Sequence, residues 1–157
     1  MMIIRNAIFD DLNAIRRILC NCYEKFEQTD QWPNDVIMKI KKSRGSVEHI
    51  RTLMANENLF VAVGDHVKGM VSVHENEVTK LYVSPQYQGN GIGKLLFIHA
   101  ESFIKKRGFK KMFLGASVQT PIPFYERMGM YIDCKRKIVC GPCKGMTSVI
   151  FEKTLAK

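Results

Sequence analysis

The stretch Leu81-Tyr82-Val83-Ser84-Pro85-Gln86-Tyr87-Gln88-Gly89-Asn90-Gly91-Ile92-Gly93-Lys94 limits the fold more than any other part of the chain. A β-rich run over Val78–Val83 meets Ser84-Pro85, which interrupts a strand. Three glycines follow, and then apolar residues at helical spacing: Ile92, Leu95, Leu96 and, one and two turns on, His99 and Phe103. A strand must therefore turn directly into a helix. Glycine lets such a turn take positive φ and approach a ligand closely. The first N–H groups of the helix have no intrahelical acceptor and sit at its positive end, so the turn is an anion site, with Lys94 adding charge beside it. Spacing argues against two standard phosphate loops. A Walker loop ends Gly-Lys-Ser/Thr, whereas Lys94 is followed by Leu95. A dinucleotide loop reads Gly-x-Gly-x-x-Gly, whereas Gly89, Gly91 and Gly93 alternate regularly.

Around this unit the pattern predicts strands over Ile3–Ile8, Leu59–Val63, Val67–His74, Val78–Val83, Lys111–Ala116, Met130–Ile138 and Met146–Thr154. Gly64-Asp65 supplies a hairpin turn. Asp10 is the expected N-cap of a helix in which Leu12, Ile15, Leu19, Cys22, Tyr23 and Phe26 share a face. Shorter helices are expected over Val36–Lys42, Val47–Met54 and Pro123–Met128, and Gly108 stops the helix that begins near Gly91. The order is β-α-α-β-β-β-α-β-α-β-β. It predicts a mixed α/β fold: a mostly antiparallel sheet of about seven strands flanked by helices on both faces. Neither repeat nor linker interrupts it, so residues 1–157 read as a single domain.

Composition narrows the classes. Hydrophobic residues make up 46% of the 157-residue chain and charged residues 25%, which suits a globular core and excludes disorder. No apolar run reaches the ~20 residues of a membrane span, and no signal peptide precedes the first strand, so a cytoplasmic protein with no membrane partner is expected. The net charge of +9 favours polyanions or a phosphate-rich small molecule. Its clusters, Lys39–Arg44, Lys105–Arg107, Lys110-Lys111 and Lys135–Lys137, read as solvated faces, and no recognition-helix or zinc-finger pattern supports nucleic acid. Cys20 and Cys22, two apart on a helix, point to different faces, and Cys140 and Cys143 fall in a late turn. Five cysteines make no disulfide framework, and no metal is expected.

Gln88-Gly89-Asn90-Gly91-Ile92-Gly93, preceded by Leu-Tyr-Val-x-Pro and followed by Lys-Leu-Leu, resembles the Gln/Arg-x-x-Gly-x-Gly/Ala signature of the GCN5-related N-acetyltransferase (GNAT) family. Pro123-Phe124-Tyr125-Glu126-Arg127-Met128-Gly129-Met130 resembles that family's Phe-Tyr-x-x-x-Gly-Phe segment, with Met130 in place of the usual Phe. The resemblance covers most of the chain and is weakest over residues 27–58. It implies acetyl-CoA as co-substrate and a primary amine as acceptor, attacked directly in a ternary complex. It also implies that backbone N–H groups across Gln88, Gly89, Asn90, Gly91, Ile92, Gly93 and Lys94 hold the pyrophosphate, and that Leu81, Tyr82 and Val83 pair with the pantetheine arm. The Val83 N–H would polarise the thioester carbonyl.

By the same resemblance Tyr125 is the expected general acid toward the departing sulfur, since a phenol near pKa 10 stays protonated at pH 7. Glu77 matches the family's basic glutamate. Side-chain alternation over six residues places it on the same face as Val83. Glu75 and His74 are further candidates, and a chain of waters another. One position departs: members often carry an Asn seven residues before the tyrosine, where this chain has Val118. Trp32, Tyr23, Phe26, Glu24 and Glu27 fall where acceptor sites of the family often form; the acidic pair suits a cationic amine, a solvated helix surface explains it equally well, and the acceptor class stays open. A CoA-binding sensor or interaction module without turnover is the alternative, against which Tyr125 and the intact glycine loop both count. Exposed strand edges near the C-terminus leave room for a homodimer.

Overall fold

The computed structural model describes residues 1–117 and 119–155. A short strand, β1 (Ile3–Asn6), leads through a 3-10 turn at Phe9–Asp11 into the long helix α1 (Leu12–Thr29). Two ten-residue helices follow, α2 (Asn34–Ser43) and α3 (Val47–Asn56). Three antiparallel strands come next: β2 (Asn58–Val63), β3 (Val67–His74) and β4 (Glu77–Val83). Helix α4 (Ile92–Lys106) returns the chain to β5 (Lys111–Ala116). Helix α5 (Ile122–Arg127), β6 (Tyr131–Lys137) and β7 (Thr147–Thr154) complete it. The seven strands form one sheet in the order β1-β2-β3-β4-β5-β7-β6, antiparallel throughout except for β4 and β5. This is the mixed, mostly antiparallel sheet expected from the residue pattern.

Two apolar clusters cover the two faces. Ile92, Leu96, Phe97, Ala100 and Ile104, one stripe of α4, pack on one face with Val71, Val73, Val78 and Leu114. Ile15, Ile18, Leu19 and Tyr23 of α1 pack on the other with Val61 and Met70, joined by Ile37, Ile40 and Ile50 of α2 and α3. Alternation along the strands feeds both layers, so the sheet is buried on both sides through its centre.

The entry to α1 differs from expectation. Asp10 is not its N-cap: the 3-10 turn over Phe9–Asp11 carries the chain in, and the Asp11 carboxylate reaches backward. Its Oδ2 accepts from the Ile8 N–H at 2.8 Å and from Arg5 at 2.7 Å, while Oδ1 accepts a second Arg5 N–H at 3.0 Å. The Arg5 hydrogen bonds and the Ile8 N–H together overcome burial and hold Asp11 below the usual carboxylate value. A depressed folded-state pKa gives stability that is full above the unfolded value of about 4 and fades as pH falls through the folded value. Asp11→Asn is expected to cost about 1–3 kcal/mol near neutral pH, since it removes a bidentate partner and weakens an acceptor. Thermal melts should show a loss at pH 7 that narrows toward pH 3, and an unchanged melting temperature at pH 7 would contradict this role.

Candidate functional site

Strands β4 and β5 are hydrogen-bonded only at their beginnings, where Glu77 is opposite Phe113 and Val78 opposite Leu114. Beyond Val78 they diverge. Strand β4 continues to bond β3, so the peptide groups on its other edge face an open gap. That gap is a cleft of about 780 Å³, floored by Leu81–Val83 and walled by α1, the start of α4, and α5. Its volume suits a ligand of cofactor size.

The glycine turn forms the mouth. Gly89 and Gly91 have φ of 83° and 82°, and a Cβ on either would meet nothing within 4 Å. Only the conformation demands glycine there, and the space outside it is open. Gly91 is the N-cap of α4 and offers no side-chain cap, so the first-turn N–H groups remain available to an anion. Gln88 and Asn90 brace the turn from within. Gln88 Nε2 donates to the Val83 carbonyl at 3.0 Å, Lys25 Nζ donates to Gln88 Oε1 at 2.8 Å, and Asn90 Nδ2 donates to the Tyr87 carbonyl at 3.0 Å. Gln88, Gly89, Gly91, Ile92, Gly93 and Lys94 line the cleft, as do Leu81, Tyr82 and Val83. Asn90 is outside the lining and acts on the turn's shape. The Val83 carbonyl also accepts the Cys22 thiol at 3.2 Å, so the protein's own groups already occupy it.

Tyr125 enters the opposite wall from α5. It is 7% exposed, its ring set against Phe124 and Phe151 at centroid distances of 5.5 and 5.3 Å, and it lines the cleft. Burial first, then the nearby Tyr82, raise its phenol well above the ordinary value, so it stays a proton-bearing donor. The loop before α5 is tied to the end of α1 by Asp30. Its Oδ1 accepts the Gln119 and Thr120 N–H groups at 2.6 and 3.0 Å, and its Oδ2 accepts the Thr120 hydroxyl at 2.9 Å. The Val118 position falls outside the described residues.

Glu77 is placed differently from expectation. Ser72 pairs with Lys80 and Val73 with Val78, which leaves Thr79 as an extra residue in β4. The bulge reverses the alternation. Val78, Leu81 and Val83 pack toward α4, while Thr79 and Tyr82 turn toward α1–α3, so Glu77 and Val83 lie on opposite faces. Glu77 is exposed beside the cleft rather than in its described lining. Partial desolvation and then the charge of Glu57 raise its carboxyl, with His74 opposing. His74 and Glu75 are exposed at the β3–β4 turn, Glu75 with φ of 54°.

Of the two readings open for the acidic pair on α1, the structure shows the solvated surface. Tyr23 and Trp32 are core residues, 0% and 5% exposed. Glu24 is exposed and paired with Lys41, and Glu27 is exposed outside the cleft lining. Only Phe26 of that group lines the cleft. The residues missed by sequence reasoning are Arg44, Lys80 and Asp30. The run Lys39–Arg44 reads as a solvated face, but Arg44, the C-cap of α2, turns inward to the cleft. Nothing in the residue pattern signals that turn.

Among the described residues no group of three or more His, Cys, Asp or Glu side chains is placed to hold a metal, and no helix is long and apolar enough to cross a membrane. Cys143 is buried and Cys140 exposed.

The model of the acetyltransferase (GNAT) family matches residues 12–130. An uncharacterized N-acetyltransferase of Chlorobaculum tepidum is 26% identical over 126 residues, covering 80% of this chain and 73% of that protein. Another, from Methanocaldococcus jannaschii, is 26% identical over 142 residues, and the match spans 59% of its length. Among solved structures, the PaiA N-acetyltransferase of Thermoplasma acidophilum, in complex with coenzyme A, superposes with a TM-score of 0.80 at 19% identity, covering 98% of this chain and 99% of that one. A GCN5-related N-acetyltransferase structure from Rhodopseudomonas palustris gives 0.88 at 16% identity, covering 98% and 95%.

Proposed function

Because this chain belongs to the acetyltransferase (GNAT) family and is an acyltransferase, we propose that residues 1–157 work as one N-acetyltransferase domain that moves an acetyl group from acetyl-CoA to a primary amine. The observation that carries this reading is the parting of β4 from β5 beside an uncapped, glycine-turned helix N-terminus. A long ligand with a phosphate-bearing end fits such a site: its anion at the turn and its arm along the open edge of β4. The open space at Gly89 and Gly91 supports that fit. Acetyl-CoA supplies an activated acyl group on a thiol leaving group.

The chain's own residues supply the rest. N–H groups of the Gln88–Lys94 turn take the phosphate charge, with Lys94 and Lys25 close by. The free edge of Leu81–Val83 orients the arm, and the Val83 N–H is proposed as donor to the developing oxyanion. Tyr125 donates toward the sulfur as charge builds there. Cys22 also lines the cleft, but burial pushes its thiol up to about 12, so it stays a neutral donor to the Val83 carbonyl and a poor nucleophile. Direct attack by the amine needs no acyl-enzyme.

Glu77 is proposed to receive the proton of the incoming ammonium through intervening water, from its place two residues before the cleft-lining Thr79. Its raised carboxyl is a stronger base than a solvated glutamate. Glu77→Gln is expected to lower kcat/KM about tenfold to a hundredfold and to remove the acidic limb of its pH profile. A profile that keeps that limb would assign the base elsewhere. The reading as a whole is tested by incubating the protein with acetyl-CoA and mixed primary amines, following free thiol and product mass. Amine-dependent thiol release with a 42 Da mass gain on an amine, about 42 Da being the added acetyl unit, is expected. Thioester loss that does not depend on the amine would contradict it.

A further inference from the structure

Lys25, Arg44, Lys80, Lys94 and Arg127 line the cleft, and among the described residues no Asp or Glu does. Two of these cations stand at the glycine turn, Lys94 in the first turn of α4 and Lys25 bonded to Gln88. Arg44 and Lys80 do not. Lys80 is four residues before Ser84, about 13 Å back along β4 from the turn. The Thr79 bulge aims that part of the strand toward α1–α3, away from the face where α4 packs. A phosphate seated on the α4 turn therefore leaves both cations unused.

The two positive charges are close enough to disfavour one another. Burial, then Arg44, lower the Lys80 ammonium to about 8, against a smaller pull from Glu57. Neither has an ion-pair partner among the described residues, and the Glu57 carboxylate instead accepts the Thr79 hydroxyl at 2.6 Å. The surroundings hold further unused polar capacity. His49 Nε2 is buried without a hydrogen-bond partner and lies in the field of both Lys80 and Arg44. The backbone that carries Arg44 is held in place at the next residue. A Cβ on the adjacent Gly45 would meet the Lys41 carbonyl at 2.6 Å and Cys20 Sγ at 2.8 Å, and Arg16 Nε donates to the Gly45 carbonyl at 3.1 Å. Two cleft-lining cations without an ion-pair partner, with the unpartnered His49 Nε2 near both, suit an anion supplied from outside the chain.

Resting on the acetyl-transfer reading above, we infer that Arg44 and Lys80 form a subsite for a carboxylate on the acceptor, so that the acceptor is a small amine bearing its own carboxylate, an amino acid being the simplest case. The phosphate end and the carboxylate end of the cleft are then separate, and acetyl transfer takes place between them. The planar fork of Arg44 suits the two oxygens of a carboxylate, and Lys80 adds a point charge. A carboxylate would hold the amine in one orientation and relieve the repulsion between the two cations.

The test pairs each of several amino acids with its decarboxylated amine, for example phenylalanine with phenethylamine and lysine with cadaverine. Acetyl transfer to the amino acid is expected to exceed that to its partner by at least about tenfold in kcat/KM, the worth of one charge-assisted contact. Arg44→Gln and Lys80→Met should each erase most of that preference while leaving the Kd for CoA within about threefold, and Arg44→Lys should restore part of it. A second readout needs no turnover. In CoA-loaded protein, modification of Lys80 by a small amine-reactive reagent, followed by mass spectrometry, should be slowed by phenylalanine and not by phenethylamine.

Equal or better use of the decarboxylated amines overturns the inference. So does turnover of neither set with no protection of Lys80, and so does a preference for phosphoethanolamine over every amino acid, which would give these cations to a phosphate. Failure to bind CoA at all would instead strike the acetyl-transfer reading, so the two failures are told apart.

Discussion

Gly91→Glu is expected to weaken acetyl-CoA binding by at least about a hundredfold while leaving the fold intact. The carboxylate would stand at the positive end of α4, where the ligand's phosphates are proposed to sit, and like charges in that relation cost several kcal/mol. A hundredfold corresponds to about 2.7 kcal/mol, within that cost. Gly91 has φ of 82°, so a side chain there also pays roughly 1–2 kcal/mol in backbone strain, a cost to folding and not to binding. A Cβ at this position meets nothing within 4 Å, so packing is spared and the melt should shift by only a few degrees. Gly141→Glu is the matched control: its φ is 84°, it too has open space, and it is not part of the cleft lining. Calorimetric titration of both variants separates a charge placed at the turn from the same strain and charge placed elsewhere on the protein. Equal affinities for Gly91→Glu and Gly141→Glu would contradict the placement of the anion at the α4 turn.

Tyr125→Phe is expected to lower kcat by about a hundredfold to a thousandfold, with the Kd for acetyl-CoA changed by less than about twofold. The substitution keeps the ring that packs on Phe124 and Phe151 and removes only the hydroxyl. Burial raises that phenol, so full transfer of its proton to a thiolate of ordinary pKa, about 8.5, is uphill. Its main contribution is then a hydrogen bond that strengthens as negative charge develops on sulfur, a gain confined to the transition state. The loss should accordingly fall on kcat. It should also persist across pH 6 to about 9, because the phenol does not ionise in that range. A full-rate Tyr125→Phe enzyme would remove the residue from the chemistry.

Much of this site was legible in the residues because its defining demands are local. The turn between β4 and α4 needs glycine where φ is positive, and Gly89 and Gly91 both sit there. Strands β3 and β5 fall where alternation and their flanking turns place them, Val67–His74 and Lys111–Ala116. Glu77 shows the limit. Counting residues by twos gave it the face of Val83, and a single bulged residue, Thr79, inverted that result. A bulge is set by pairing with β3 and by the Thr79 hydroxyl's bonds to Ser72 and Glu57, contacts far apart in sequence. Of the two readings open for Glu24 and Glu27, the structure places both on the outer, solvated side of α1. Arg44 instead reaches the cleft from a turn whose packing against Cys20 and Arg16 no periodicity records.

Calorimetric titration of the unmodified protein with acetyl-CoA tests the central claim most directly. Saturable one-to-one binding with a Kd between about 1 μM and 1 mM, weakening as salt rises, is the predicted result for a phosphate-bearing ligand held by an uncapped helix terminus and nearby lysines. Absence of saturable heat at millimolar acetyl-CoA would mean that the parted strands and the glycine turn do not form a CoA site, and the acetyl-transfer reading would fall with it.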